Sequence, residues 1–210
     1  VINDFNFLTT LQQSIALCPT RPAYDNLGTA YFNTGKADEA VDAYNQSFQF
    51  GEANYQSWLN LGEAYFWLRR RQDQATEAYT QCVRLGREEM AARAAGGRPP
   101  NVMIPATLAT VFPKLGQPDS ARIYLAQALA ADSTNPMVMM YAALTHWQLG
   151  GRERALIELR KSVDGGYPVA WLRDSPVFEE WRQVAEFQTI VGRQDPVPQS
   201  VASRNSGGGP

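Results

Sequence analysis

One eight-residue pattern occurs twice in this chain, and the two copies lie 34 residues apart. Residues 24–31 and residues 58–65 both read as an aromatic residue, two others, Leu-Gly, two others and Tyr. Self-similarity at a fixed period of this length indicates a repeat architecture in which each copy is one supersecondary unit. Because such a unit cannot bury its apolar side alone, the copies are predicted to stack against one another.

Two weaker copies follow at the same period, since the Leu-Gly pairs ending at Gly116 and Gly150 are again 34 residues apart. Small residues recur in phase at three positions, where they predict close contacts between helices. These positions hold Gly28, Gly62, Ala109 and Ala143; Ala40, Ala75, Ala121 and Ala155; and Ser47, Cys82, Ala128 and Ser162. We therefore expect four pairs of helices packed side by side.

The repeat phase also divides the chain. It predicts the second helix of a truncated repeat in 1–20, repeats in 21–54, 55–101, 102–135 and 136–169, a capping helix in 170–192 and a flexible tail in 193–210. The second repeat is longer than the others, and its surplus is expected to extend its second helix towards the Gly96-Gly97-Arg98-Pro99-Pro100 stop. Pro113 is expected either to bend the first helix of the third repeat or to end it early.

These motifs resemble tetratricopeptide repeats from about residue 5 to residue 191, with the most specific match in the first two copies. The resemblance implies an all-α fold, a right-handed α-solenoid of antiparallel helix pairs closed by a capping helix. The stretches 60–65 and 166–168 are similar to tetratricopeptide regions attached to bacterial serine/threonine kinases or to transcriptional regulators. No kinase signature is found in this sequence, so any catalytic domain would lie outside it.

Composition argues against most kinds of chemistry. With 19 basic and 21 acidic residues the net charge is −2, which disfavours nucleic-acid binding through bulk electrostatics. One His and two Cys cannot build a His-rich metal site or a disulfide framework. His146 replaces the ring of Tyr31 and Tyr65 in the repeat, and Cys82 occupies a small-residue packing position. We therefore predict no enzyme activity, no cofactor and no metal.

In this architecture the first helices of successive repeats line a concave groove, and the phase indicates which side chains point into it. The candidate peptide-binding residues are Asn26, Thr29, Asn33, Asn60, Glu63, Trp67, Thr107, Tyr141 and Trp147. Asn side chains can hold a peptide backbone, and Trp and Tyr suit binding surfaces. Repeats that clamp a terminal carboxylate use Lys, Asn and Arg here; only Asn60 agrees, so that ligand is not expected.

The sequence thus predicts a non-catalytic protein–protein interaction module that binds a peptide or protein segment in its groove. The alternative is a regulatory or oligomerising region of a bacterial serine/threonine kinase or transcriptional regulator, with its own catalytic domain or a second copy as partner. The chain begins at Val1 without Met, which we interpret as a fragment. No signal peptide or membrane span is visible, so a cytoplasmic location is expected unless the parent protein has an upstream anchor.

Overall fold

A computed structural model describes residues 4–192, with side chains from Leu8 onwards; the tail predicted in 193–210 lies outside the described residues. The described part contains α-helices, short 3-10 helices and no strand. The helices are α1 (Asp4–Leu17), α2 (Arg21–Asn33), α3 (Ala37–Ser47), α4 (Tyr55–Trp67), α5 (Gln72–Ala95), α6 (Met103–Val111), α7 (Pro118–Ala131), α8 (Pro136–Gln148), α9 (Arg152–Asp164), α10 (Val169–Asp174) and α11 (Ala185–Val191). The chain is an all-α solenoid of helix pairs.

The helices pair as α2 with α3, α4 with α5, α6 with α7 and α8 with α9, and each pair packs on the next along the chain. The small residues predicted from the repeat phase lie at the contacts. Ser47, Cys82, Ala128 and Ser162, which occupy matched positions in the four second helices, are all completely buried. Because these side chains are small, neighbouring helices approach closely and the larger residues beside them fill the remaining space.

Glycine is required in the first helices of repeats one and two because a tyrosine ring lies against the backbone there. A Cβ added to Gly28 would come within 2.5 Å of the Tyr44 ring, and one added to Gly62 would come within 2.7 Å of the Tyr79 ring. Tyr44 and Tyr79 are almost wholly buried, with 2% and 0% exposure. A side chain at either glycine would therefore force a buried ring to move.

The turn within each repeat needs one residue in the left-handed backbone region, which normally favours glycine. Gly35, Gly116 and Gly150 supply it in repeats one, three and four, with φ values of 75°, 70° and 82°. Repeat two has Arg69 in the matching place, with φ of 43°. Arg69 is thus the one non-glycine residue with positive φ among the described residues.

The surplus residues of repeat two do lengthen its second helix. Helix α5 extends to Ala95 and ends at Gly96, and near its middle Gly86 lies close to Ile104 and Leu108 of α6. In repeat three, helix α6 ends at Val111 and a 3-10 helix follows over Phe112–Leu115. Of the two expectations for Pro113, the structure therefore shows the second: the first helix of repeat three ends early rather than bending.

The expectation of one capping helix in 170–192 is wrong. After α10, the chain forms 3-10 helices at Pro176–Phe178 and Glu180–Gln183, takes an extended conformation at Val184, and ends in α11. The break brings the Phe178 and Phe187 rings together, with centroids 5.9 Å apart. Nine residues of continuous helix would separate them by about 13 Å. Burying both rings on α9 therefore requires the chain to fold back.

Candidate functional site

The candidate site is the face formed by the first helices α2, α4, α6 and α8, which this repeat architecture predicts to be concave. Asn26 is exposed, and seven of the other predicted groove residues are half-buried: Thr29, Asn33, Asn60, Glu63, Trp67, Tyr141 and Trp147. Thr107 is completely buried. It lies in α6, where every residue from Ile104 to Val111 is buried between neighbouring helices. Thr107 is consequently inaccessible to a ligand, and its inclusion in the groove needs correction.

A polar cluster joins repeats two and three in the middle of this face. Glu63 of α4 forms an ion pair with Lys114, which follows α6, and their side chains are only 18% and 12% exposed. The Lys114 ammonium also lies 5.1 Å from the centre of the Tyr79 ring and 5.4 Å from that of Phe66. Burial, followed by the nearby charge of Glu63, raises the pKa of Tyr79 well above its usual value. The cluster leaves the exposed Phe66 ring beside a neutralised pair of charges.

A second polar cluster lies between α2, α3 and α4. The Thr29 Oγ1 and Tyr44 hydroxyl oxygens are 3.1 Å apart, and the Ser57 hydroxyl donates to Asp25 Oδ2 at 3.4 Å. Asp25 Oδ1 is buried without a hydrogen-bond partner among the described residues. Burial raises the pKa of Tyr44 above its ordinary value, although the hydrogen bond with Thr29 opposes this. The Tyr44 hydroxyl therefore stays neutral at physiological pH.

The fourth-repeat end of the groove is covered by the chain's own C-terminal segment. Trp147 stacks on Trp181, with ring centroids 4.0 Å apart and an interplanar angle of 14°. Val177 packs both against the core of repeat four and against the core cluster of repeats one and two. Trp67 packs against the outside of that second cluster. Its ring centroid lies 6.5 Å from that of Phe32, and the two rings are arranged edge to face. Much of the aromatic surface predicted for ligand binding is thus used within the molecule.

A cavity of about 220 Å³ opens where this C-terminal segment meets repeat one. It is lined by Leu8, Ala30, Asn33, Thr34, Ala170, Trp171, Asp174 and Ser175. Sequence reasoning placed Asn33 on the binding face but missed Trp171 and Asp174, because these two residues lie outside the repeat phase. The available signal was a tryptophan in a short segment with no repeat position to explain it.

Metal-ligating side chains do not cluster in the described part of the chain. No group of three or more His, Cys, Asp or Glu residues described by the structure is placed to hold a metal ion. Burial raises the pKa of the Cys82 thiol to about 12, so this cysteine is unreactive at neutral pH. His146 is half-buried, and burial, with the nearby Arg154, lowers its pKa. Within residues 4–192, no helix combines the length and apolar character that crossing a membrane requires.

Comparison with known proteins agrees with this geometry. Residues 22–50 and 55–88 match a family model of the tetratricopeptide repeat. These two segments are tetratricopeptide repeats. The match covers the two copies in which the sequence motif is most specific, and repeats three and four continue the same pairing of helices.

Among the solved structures that this chain resembles, one with a TM-score above 0.5 supports the same fold. The thermophilic tetratricopeptide repeat protein TTC0263 of Thermus thermophilus is 18% identical, with a TM-score of 0.54 and 89% of each chain covered. PilF of Pseudomonas aeruginosa is 17% identical, with a TM-score of 0.48 over 89% of this chain and 82% of that one. YrrB, a tetratricopeptide repeat protein described as having an unusual peptide-binding site, is 18% identical, with a TM-score of 0.43 over 86% and 84%. No curated protein matches this chain.

Proposed function

We propose that this chain is a non-catalytic protein-interaction scaffold that binds an extended peptide segment on the concave face of repeats one and two. The observation that carries the proposal is the row of partly exposed polar side chains along α2 and α4. This row contains Asn26, Thr29, Asn33, Asn60 and Glu63. The Phe66 ring, 40% exposed, lies at its end.

The chemistry of this row suits a peptide backbone. An Asn side chain offers both a donor and an acceptor, which matches the alternating groups of an extended chain. The Asn60 Oδ1 already accepts a hydrogen bond from Gln56 at 3.1 Å, so the Asn60 amide would bind a peptide chiefly through its N–H donors. An exposed ring such as Phe66 contributes apolar area at the end of the row. Stacked tetratricopeptide units curve so that such rows lie on one concave surface.

Repeat four contributes less to the proposed site than the sequence predicted. Trp147 stacks on Trp181, and Tyr141 belongs to the packing of α8 on α6. We infer that these residues, with Trp67, shape the ends of the groove while Asn26, Thr29, Asn33, Asn60 and Glu63 contact the peptide. Selection of peptides on the intact chain from a random displayed library tests this proposal.

The test compares Asn60→Ala with Asn45→Ala, an exposed asparagine on α3, outside the groove. Loss of one or two hydrogen bonds should weaken peptide binding about fivefold in Asn60→Ala and leave it unchanged in Asn45→Ala. Equal affinities in the two variants, or a library that gives no binder, would exclude the groove. Light scattering on the same samples tests the alternative of an oligomerising region, which requires self-association at micromolar concentration.

A further inference from the structure

The cavity between repeat one and the C-terminal segment has the size of a site for one side chain. Its volume of about 220 Å³ is below the roughly 300 Å³ at which pockets for small molecules begin. One wall comes from α1 and α2 and the other from α10. Because Asn33 lines it and is also a groove residue, the cavity adjoins the row of polar side chains on α2.

The lining is acidic and aromatic. Trp171 is 47% exposed, which leaves a large ring face accessible beside the cavity, and Asp174 is exposed at the end of the same helix. No Lys or Arg belongs to the lining. The Thr34 hydroxyl donates within its own helix, to the carbonyl oxygens of Ala30 and Tyr31, both at 3.0 Å. Besides the Ser175 hydroxyl, the side-chain polar groups of the lining that can meet a ligand are the Asp174 carboxylate and the Asn33 amide.

Two arginines of the C-terminal segment have partners in the backbone. Arg173 donates to the carbonyl oxygen of Val191 at 3.0 and 2.8 Å. Arg182 donates to the carbonyl oxygens of Arg173 and Ser175, at 2.9 and 2.7 Å. These contacts hold the C-terminal segment in its fold and direct both guanidinium groups at backbone oxygens. The Asp174 carboxylate has no ion-pair partner among the described residues.

We propose that this cavity binds an arginine side chain of the peptide that lies in the groove. A tryptophan face attracts a cation more strongly than other rings do, and the planar guanidinium both stacks on such a face and pairs with a carboxylate. The Asn33 amide oxygen accepts one of the remaining N–H donors. This inference rests on the proposed function for the peptide that carries the arginine, whereas the chemistry of the cavity is tested separately.

The first experiment uses the intact chain and a capped amino acid, N-acetyl-arginine methylamide. Nuclear magnetic resonance follows the indole N–H signal of Trp171, which is identified by its loss in Trp171→Phe. We expect a saturable shift with millimolar affinity and none with the neutral citrulline analogue. Asp174→Asn should weaken binding at least fivefold, while Asp42→Asn, an exposed carboxylate on α3, should leave it unchanged.

An equal response to citrulline, an unchanged affinity in Asp174→Asn, or no shift at all would overturn the arginine site. The second experiment repeats the peptide selection with the Asp174→Asn variant. Arginine enriched at one position in peptides that bind the original chain, and lost in the variant, supports the site. Peptides that bind through Asn60 without arginine enrichment would contradict the arginine site and leave the proposal of peptide binding in the groove intact. A positive titration with arginine but no peptide binder would contradict only the proposal of peptide binding in the groove.

Discussion

Repeats one and two fill the same packing position differently from repeats three and four. In the first two, a glycine in the first helix lies under a tyrosine ring, in the pairs Gly28 with Tyr44 and Gly62 with Tyr79. In the last two, alanine replaces glycine and leucine replaces tyrosine, in the pairs Ala109 with Leu125 and Ala143 with Leu159. Each pair fills the space between two helices, and the residue types change together because their combined volume is limited.

The difference also changes the polarity of the candidate face between the two halves of the array, which are repeats one and two and repeats three and four. The Tyr44 hydroxyl lies beside Thr29, and Tyr79 lies against the Glu63–Lys114 pair, so each ring brings polarity to the concave face. Leucine cannot do this. Repeat four is instead covered by its own C-terminal segment through Trp147 and Trp181. Repeats one and two thus place more polar groups on the candidate face, whereas repeat four stacks Trp147 on the C-terminal segment.

Weakening the contact between the C-terminal segment and repeat four should destabilise repeats three and four first. Trp181 is 1% exposed and contacts Trp147, Phe178 and Phe187, so Trp181→Ala should lower the free energy of unfolding by about 3–5 kcal/mol. Urea unfolding followed by circular dichroism measures this. Hydrogen exchange should show that α8 and α9 lose protection before α2 and α3. Uniform loss of protection along the chain would argue against two distinct halves.

Exchanging the packing pair between halves tests the comparison directly. Gly62→Ala should lower the free energy of unfolding by about 1–3 kcal/mol because its Cβ meets the buried Tyr79 ring. Adding Tyr79→Leu reproduces the pair found in repeats three and four. The double variant should therefore be less destabilised than the sum of the two single variants, as a double-mutant cycle would show. Additive losses would mean that the two positions are independent.

The ion pair between the halves should matter more than a surface pair. Lys114→Met leaves Glu63 half-buried without a partner, and we expect a loss of about 2 kcal/mol, less than for a fully buried pair. Glu63→Gln combined with Lys114→Met should recover much of it. The control is Arg70→Met, which breaks the exposed pair with Asp38 and should cost no more than about 1 kcal/mol. Similar losses in both single variants would contradict the role of burial.

The turn of repeat two can be brought into line with the other three. Because Arg69 has φ of 43° where its counterparts are glycines, Arg69→Gly should raise the free energy of unfolding by about 0.5–1 kcal/mol. Gly116→Arg, the reverse change in repeat three, should lower it by a similar amount. Thermal unfolding measures the change in stability of each variant. Destabilisation by Arg69→Gly would show that the contacts of the arginine side chain contribute more to stability than the backbone strain removes.

The smallest expected effect is a pH dependence confined to repeat four. Burial lowers the pKa of His146, so the unfolded chain binds a proton more readily than the folded chain. Stability from this group is complete above the unfolded pKa of about 6.5 and declines as the pH falls through the folded value. His146 is the only histidine in the chain. His146→Tyr, which restores the repeat consensus, should flatten the stability profile between pH 7.5 and 5.5, and an unchanged slope would refute it.

The sequence alone determined the all-α solenoid, since the 34-residue period names the contacting positions without any coordinates. Buried small residues such as Ser47 and Cys82 show why this works: contacts between adjacent repeats are local, and one packing rule serves each of them. The groove residues Asn26, Asn33 and Asn60 also follow from helical phase, and their contact with a peptide stays a prediction.

Only the tertiary structure decided how the ends of the array meet. The last segment folds back through Val184 to stack Phe178 on Phe187, places Trp181 on Trp147, and opens the cavity between Trp171 and α2. Thr107 became buried for a related reason, because α6 is enclosed by its neighbours on every side. Repeat phase describes each unit against the next. The C-terminal segment has no place in that phase, and the cavity joins residues more than a hundred positions apart, so no local period encodes either feature.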